Sequence, residues 1–113
     1  MYYLVRYKKP AKHLVGARNK AIGRIGPFET LLEAERRLLK SAVSVKRLPD
    51  EGFRLDDISR RISLEYFNPT NSMVYVKTNE YNDFGKRMYM SYTLPQYKHW
   101  IEHKKRNPFT QII

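Results

Sequence analysis

Three stretches in the second half of this chain, 61–67, 73–78 and 87–93, change character at every other residue, with only short polar segments between them. Ile62, Leu64 and Tyr66 alternate in the first, Val74 and Val76 against Met73, Tyr75 and Lys77 in the second, and Met88, Met90 and Tyr92 against Tyr89 and Ser91 in the third. A period of two is the strand period. Asn68-Pro69-Thr70-Asn71 is a strong turn signal, and a polar loop from Asn79 closes at Gly85, so consecutive strands must return antiparallel as a β-meander. Residues 1–7, rich in aromatic and β-branched side chains, predict one more strand, with Tyr3, Val5 and Tyr7 on one side and Tyr2, Leu4 and Arg6 on the other. The side without charge is expected to face the core. Another strand is expected over 21–25, ending at Gly26-Pro27, and the basic connection before it has room for a short strand at 13–15.

Two helices complete the pattern. Thr30 and Glu33 form a T-x-x-E capping box, and Leu31, Ala34, Leu38 and Ala42 recur at helical spacing, which predicts a helix over 30–43. Thr93 with Gln96 repeats the box, with Pro95 in the first turn, and predicts a helix over 94–106 that stops at Asn107-Pro108 and packs through Leu94, Tyr97, Trp100 and Ile101. Between them, 48–52 reads as a loop. Residues 53–67 carry two signals, because Leu55, Ile58 and Ile62 also fit helical spacing; the expectation is a brief helical turn at 55–60 and then a strand over 61–67. The resulting architecture is α+β: one compact domain over 1–113, with a mainly antiparallel sheet of four to five strands packed by two helices.

Composition supports a folded chain. With 42% hydrophobic and 13% aromatic residues in a length of 113, there is enough apolar surface to offset chain entropy. The chain contains no cysteine, which excludes thiolate nucleophiles, disulfides, Cys-ligated zinc and iron–sulfur clusters. The apolar run at the amino terminus is too short for a secretory leader, and no 18-residue apolar stretch occurs, so the expectation is a soluble cytoplasmic protein with no membrane partner.

Charge is strongly segregated. Residues 1–28 hold Arg6, Lys8, Lys9, Lys12, Arg18, Lys20 and Arg24 and no carboxylate, while 86–113 hold Lys86, Arg87, Lys98, Lys104, Lys105 and Arg106 against Glu102 alone. Of the net charge of +11, the two ends supply +7 and +5, and the middle is slightly negative. Such charge repels itself in the compact state and suits a polyanion or an acidic partner surface. Lys and Arg on phosphates release condensed counterions whatever the sequence of the nucleic acid. Tyr and basic residues also sit side by side, as at Tyr7-Lys8 and near Arg87 and Tyr89, an interleaving that suits stacking on unpaired bases.

Other motifs are weaker than they look. His99-Trp100-Ile101-Glu102-His103 resembles the H-x-x-E-H pattern of inverzincin metalloproteases, which take a third ligand from a downstream Glu; here no acidic residue follows, and Lys104, Lys105 and Arg106 oppose a dication. Two solvated His on a basic helix is the expectation. Asp50, Asp56, Asp57, Glu65, Glu80 and Asp83 have no nuclease spacing, and no phosphate-binding G-x-x-x-x-G-K-[ST] loop is present. The segment Ile25-Gly26-Pro27-Phe28-Glu29-Thr30, continuing to Glu35, resembles the strand–G-P-F–helix junction of peptidoglycan-binding SPOR domains. The resemblance implies a folding device over 25–35 and is not extended to function.

The expected function is therefore non-enzymatic binding of DNA or RNA through a basic N-terminal loop and a basic C-terminal helix, without cofactor or metal. The residues expected to contact phosphates are Arg6, Lys8, Lys9, Lys12, Arg18, Lys20, Arg24, Lys86, Arg87, Lys98, Lys105 and Arg106. The alternative is a small inhibitor or adaptor, for example a phage-encoded one, that docks on an acidic surface of a host protein or ribonucleoprotein complex.

Overall fold

The computed structural model describes residues 1–8 and 21–104. In chain order these form β1 (Tyr2–Lys8), β2 (Ala21–Phe28), α1 (Leu31–Val45), β3 (Glu51–Asp57), β4 (Ile62–Asn68), β5 (Met73–Tyr81), β6 (Arg87–Thr93) and α2 (Leu94–Glu102). Every neighbouring pair of strands is antiparallel, in the order β2-β1-β3-β4-β5-β6. The α+β class and the meander are as expected, but the sheet has six strands rather than four or five.

The additional strand is β3, where a loop and a helical turn were expected. Phe53, Leu55 and Asp57 are buried while Arg54 and Asp56 stand on the other side, which is strand alternation. β3 lies between β1 and β4, so both edges of its backbone find partners. The spacing that imitated a helix comes from a hairpin: Ile58 and Ile62 flank a turn closed by Arg61 N–H donating to Ile58 O at 3.2 Å, with Arg61 at φ 53°.

β2 also runs past its expected end at residue 25. It continues through a cis Gly26–Pro27 bond to Phe28, and the register slips where Tyr2 pairs with Phe28 and Leu4 with Ile25. An edge strand at a bulge tolerates a residue without an N–H. Gly26 itself has φ 133°, and a Cβ there would come within 3.1 Å of Tyr2 O. The short strand considered at 13–15 lies outside the described residues.

Both helices cover one face of the sheet. Leu4, Phe53, Leu55, Phe67, Val74 and Val76 meet Ala34, Leu38 and Ala42 of α1 and Leu94, Tyr97 and Ile101 of α2 in a single core. The two capping boxes set where the helices start: Thr30 Oγ1 accepts from Glu33 N–H at 3.2 Å, and Thr93 and Gln96 exchange side-chain-to-backbone bonds in both directions. The helix expected to reach residue 106 closes at His103, whose N–H donates to His99 O; Lys105 and Arg106 lie outside the described residues.

For β1 the expected orientation is reversed. Leu4 enters the core between the helices and the sheet, with Tyr2 packed against it, while Tyr3, Val5 and Tyr7 face the other way. Arg6 is tolerated on the helix side because it lies near the strand end, where Glu51 accepts its guanidinium at 2.7 and 3.3 Å.

One polar cluster is sealed inside the core. Glu35 of α1 and Glu65 of β4 are 0% and 1% exposed. Tyr97 Oη donates to Glu65 Oε2, and Lys104 Nζ forms an ion pair with Glu35 Oε1. Burial first, and the Glu35 carboxylate second, push the Glu65 carboxyl well above the usual range, while burial raises the Tyr97 phenol. Glu35 Oε2 has no hydrogen-bond partner, and the raised Glu65 carboxyl beside it is the group that can offer a proton to it. The chain Lys104–Glu35–Glu65–Tyr97 thereby ties both helices to β4.

Candidate nucleic-acid interface

The face of the sheet turned away from the helices is built from tyrosines. A glycine makes the arrangement possible: Gly52 lies opposite Tyr7, and a Cβ there would collide with the Tyr7 ring. With no side chain in the way, the ring lies across β3, and Tyr7 Oη donates to Phe67 O on β4 at 2.6 Å. Burial, with Tyr66 as the next contribution, raises the Tyr7 phenol.

Beyond Tyr7 the aromatic surface continues. Tyr66 and Tyr75 are directly opposed on β4 and β5, and their rings stack at 4.7 Å with planes 15° apart. Tyr89 of β6 meets Tyr66 edge-on at 5.8 Å. The Tyr75 hydroxyl accepts from the Asn71 side chain at 2.6 Å, which fixes the far end of that ring. Tyr66 and Tyr75 are half-buried, and Tyr89 is 42% exposed.

Cations stand among these rings. Strand register puts Arg24 beside Val5 on β1, Arg54 beside Tyr66, and Lys77 beside Tyr89, all on the open face. Arg87 joins them: its guanidinium donates to Thr78 O at 3.0 Å and to Tyr81 Oη at 2.7 Å, and lies 4.9 Å from the centre of the Tyr81 ring. Burial and then the charge of Arg87 lower the Lys77 ammonium below its ordinary value. Asp56 stands among them on β3, where it is shared by Arg54 Nε at 3.0 Å and Ser63 Oγ at 2.9 Å. At the β2–β3–β4 corner, Arg24, Arg54 and Arg61 line a shallow depression together with Asp56 and Asp57.

The residues expected to bind phosphate are therefore divided. Arg24 and Arg87 lie on the open face, at its two edge strands. Arg6 is on the helix side and neutralised by Glu51, Lys8 is exposed at the end of β1, Lys86 is exposed in the β5–β6 loop, and Lys98 is exposed on α2. Lys9, Lys12, Arg18, Lys20, Lys105 and Arg106 lie outside the described residues. Arg54 and Lys77 do not stand out in the charge pattern because the balance of their segment is near zero; alternation with Val74 and Val76 puts Lys77 on the side of Tyr75, whereas Arg54 is placed beside Tyr66 only by the pairing of β3 with β4.

The remaining motifs hold no comparable arrangement. His99 and His103 stack on each other at 4.4 Å, with His103 Nδ1 3.1 Å from His99 O, instead of pointing at a common centre. Among the described residues no three His, Asp or Glu side chains gather as metal ligands, and no helix is long and apolar enough to cross a membrane. No protein-family model matches this sequence, and no curated protein or solved structure is significantly similar to it.

Proposed function

We propose that this protein binds nucleic acid through electrostatic contacts to phosphates and carries out no chemistry of its own. The observation that carries the reading is the open sheet face, where Arg24, Arg54, Lys77 and Arg87 stand among tyrosines, with Asp56 paired to Arg54. The net charge of +11 supports it, since a chain with 22 Lys and Arg and 11 Asp and Glu keeps a cationic surface even if every carboxylate is paired. The test is a titration of labelled DNA and RNA oligonucleotides followed by anisotropy at several salt concentrations. With about five or six phosphates neutralised, affinity between roughly 50 and 200 mM salt falls on the order of 10³-fold for a duplex and on the order of 10²-fold for a single strand. Absence of binding to either nucleic acid at low salt would rule the reading out.

A further inference from the structure

Phosphate contacts alone leave the tyrosines unexplained. A surface that only neutralises a polyanion needs cations, and Lys or Arg on any exposed element provide them. Here instead Tyr66, Tyr75 and Tyr89 are gathered on three adjacent strands of the face opposite α1 and α2. Partly exposed aromatic rings are costly to leave in water, and their π-faces match those of unpaired bases, which a duplex keeps stacked inside. Arg54, Lys77 and Arg87 border the rings at strand spacing, so a strand whose bases reach the tyrosines brings its phosphates to the cations.

From this juxtaposition we infer that the open sheet face is a binding site for single-stranded nucleic acid, in which bases stack on Tyr75 and Tyr89 while Arg54, Lys77 and Arg87 hold the backbone. This rests on the nucleic-acid reading above and adds strandedness and the stacking residues to it. Lys77 and Arg87 lie close enough that, after burial, the Arg87 charge also lowers the Lys77 ammonium, and a bound phosphate would offset both charges.

The test compares a labelled single-stranded oligonucleotide, the same oligonucleotide as a duplex, and an abasic strand of the same length, against the full chain and the variants Tyr89→Ala, Tyr75→Ala and Tyr75→Phe. Each lost stacking contact weakens single-strand binding roughly 5- to 150-fold. Tyr75→Phe, which keeps the ring, binds like the unaltered protein, and neither alanine variant changes the slope of affinity against salt. The abasic strand, which loses both stacking contacts, binds the unaltered protein more weakly than the normal strand binds either alanine variant. Tyr89 is exposed enough that its loss leaves the fold intact, as checked by circular dichroism. Equal affinity for the abasic and normal strands, or unchanged affinity in folded Tyr89→Ala and Tyr75→Ala, overturns the stacking site. If salt-dependent binding persists in that case, the broader nucleic-acid reading survives; if no nucleic acid binds at all, both fail, and a protein partner on this face becomes the explanation. DNA and RNA versions of the single strand separate the two sources of the same chemistry.

Discussion

Glu65 is the residue whose protonation matters most to the folded state. Its carboxyl is raised by burial and by Glu35, so the folded chain holds a proton that the unfolded chain releases. In the unfolded state a glutamate titrates near 4.3. Below that value both states are protonated and the cluster's contribution is fully present; as pH rises toward and through the raised folded value, the unfolded state binds fewer protons and stability declines. The groups that face Glu65 are Glu35, Tyr97, Tyr92 and Lys104. Glu65→Gln keeps an acceptor for Tyr97 and a donor for Glu35 without a proton to lose. Its melting temperature is therefore expected to depend less on pH than that of the unaltered protein, with the difference growing in the variant's favour toward alkaline pH. Glu65→Leu leaves the Tyr97 hydroxyl and a buried Glu35 oxygen unsatisfied and costs about 3–5 kcal/mol. Thermal denaturation across pH for the three proteins checks both statements, and parallel pH profiles for the unaltered and Gln proteins would contradict the shared proton.

Among the elements, β3 shows most clearly how one residue decides a larger surface. Gly52 lets Tyr7 cross the strand and bond to Phe67 O, so the aromatic surface continues from β1 to β4. Gly52→Ala forces the ring away; overpacking of about 1–3 kcal/mol and the loss of a buried hydrogen bond of about 1 kcal/mol give a destabilisation of roughly 2–4 kcal/mol. Urea denaturation should show a lower midpoint at unchanged slope, and most of the cost should disappear when Gly52→Ala is made in a Tyr7→Ala background. The same strand marks the limit of what local patterns reveal. Capping boxes and helical spacing identify α1 and α2, since those signals are confined to a few consecutive residues. β3 is recognisable only through its partners, because Leu55, Ile58 and Ile62 fit a helix until β1 and β4 are placed beside it. Glu65 is hidden by a one-residue register shift at Leu55/Asp56, which turns Glu65 and Phe67 inward and Tyr66 outward. Glu35 does carry a local signal, four residues after Leu31 and three before Leu38, but an acid at that spacing does not by itself predict burial.

At the scale of the molecule, the sign of the surface is visible in the composition, while the placement of the cations depends on tertiary register. Among the described residues, Arg6–Glu51, Arg54–Asp56, Arg60–Asp57 and Lys104–Glu35 form ion pairs. These pairs, and any others, cannot exceed the 11 carboxylates, so at least eleven of the 22 cations stay uncompensated and repel one another. Salt must then act in opposite directions on the free and bound protein. In the free protein, shortening the screening length to about 10 Å at ~0.1 M salt weakens self-repulsion, and the melting temperature rises with added salt. With excess single-stranded oligonucleotide at low salt, binding to the folded state alone adds about 2.7 kcal/mol at ligand concentrations of ~100 Kd, on the order of 10 °C or more for a domain of this size. Rising salt removes that increment, so the two melting curves, far apart at low ionic strength, converge from opposite sides. A melting temperature that is insensitive to salt without ligand, or an oligonucleotide increment that survives high salt, would mean that the cations are neutralised within the fold and that the open face binds by something other than charge.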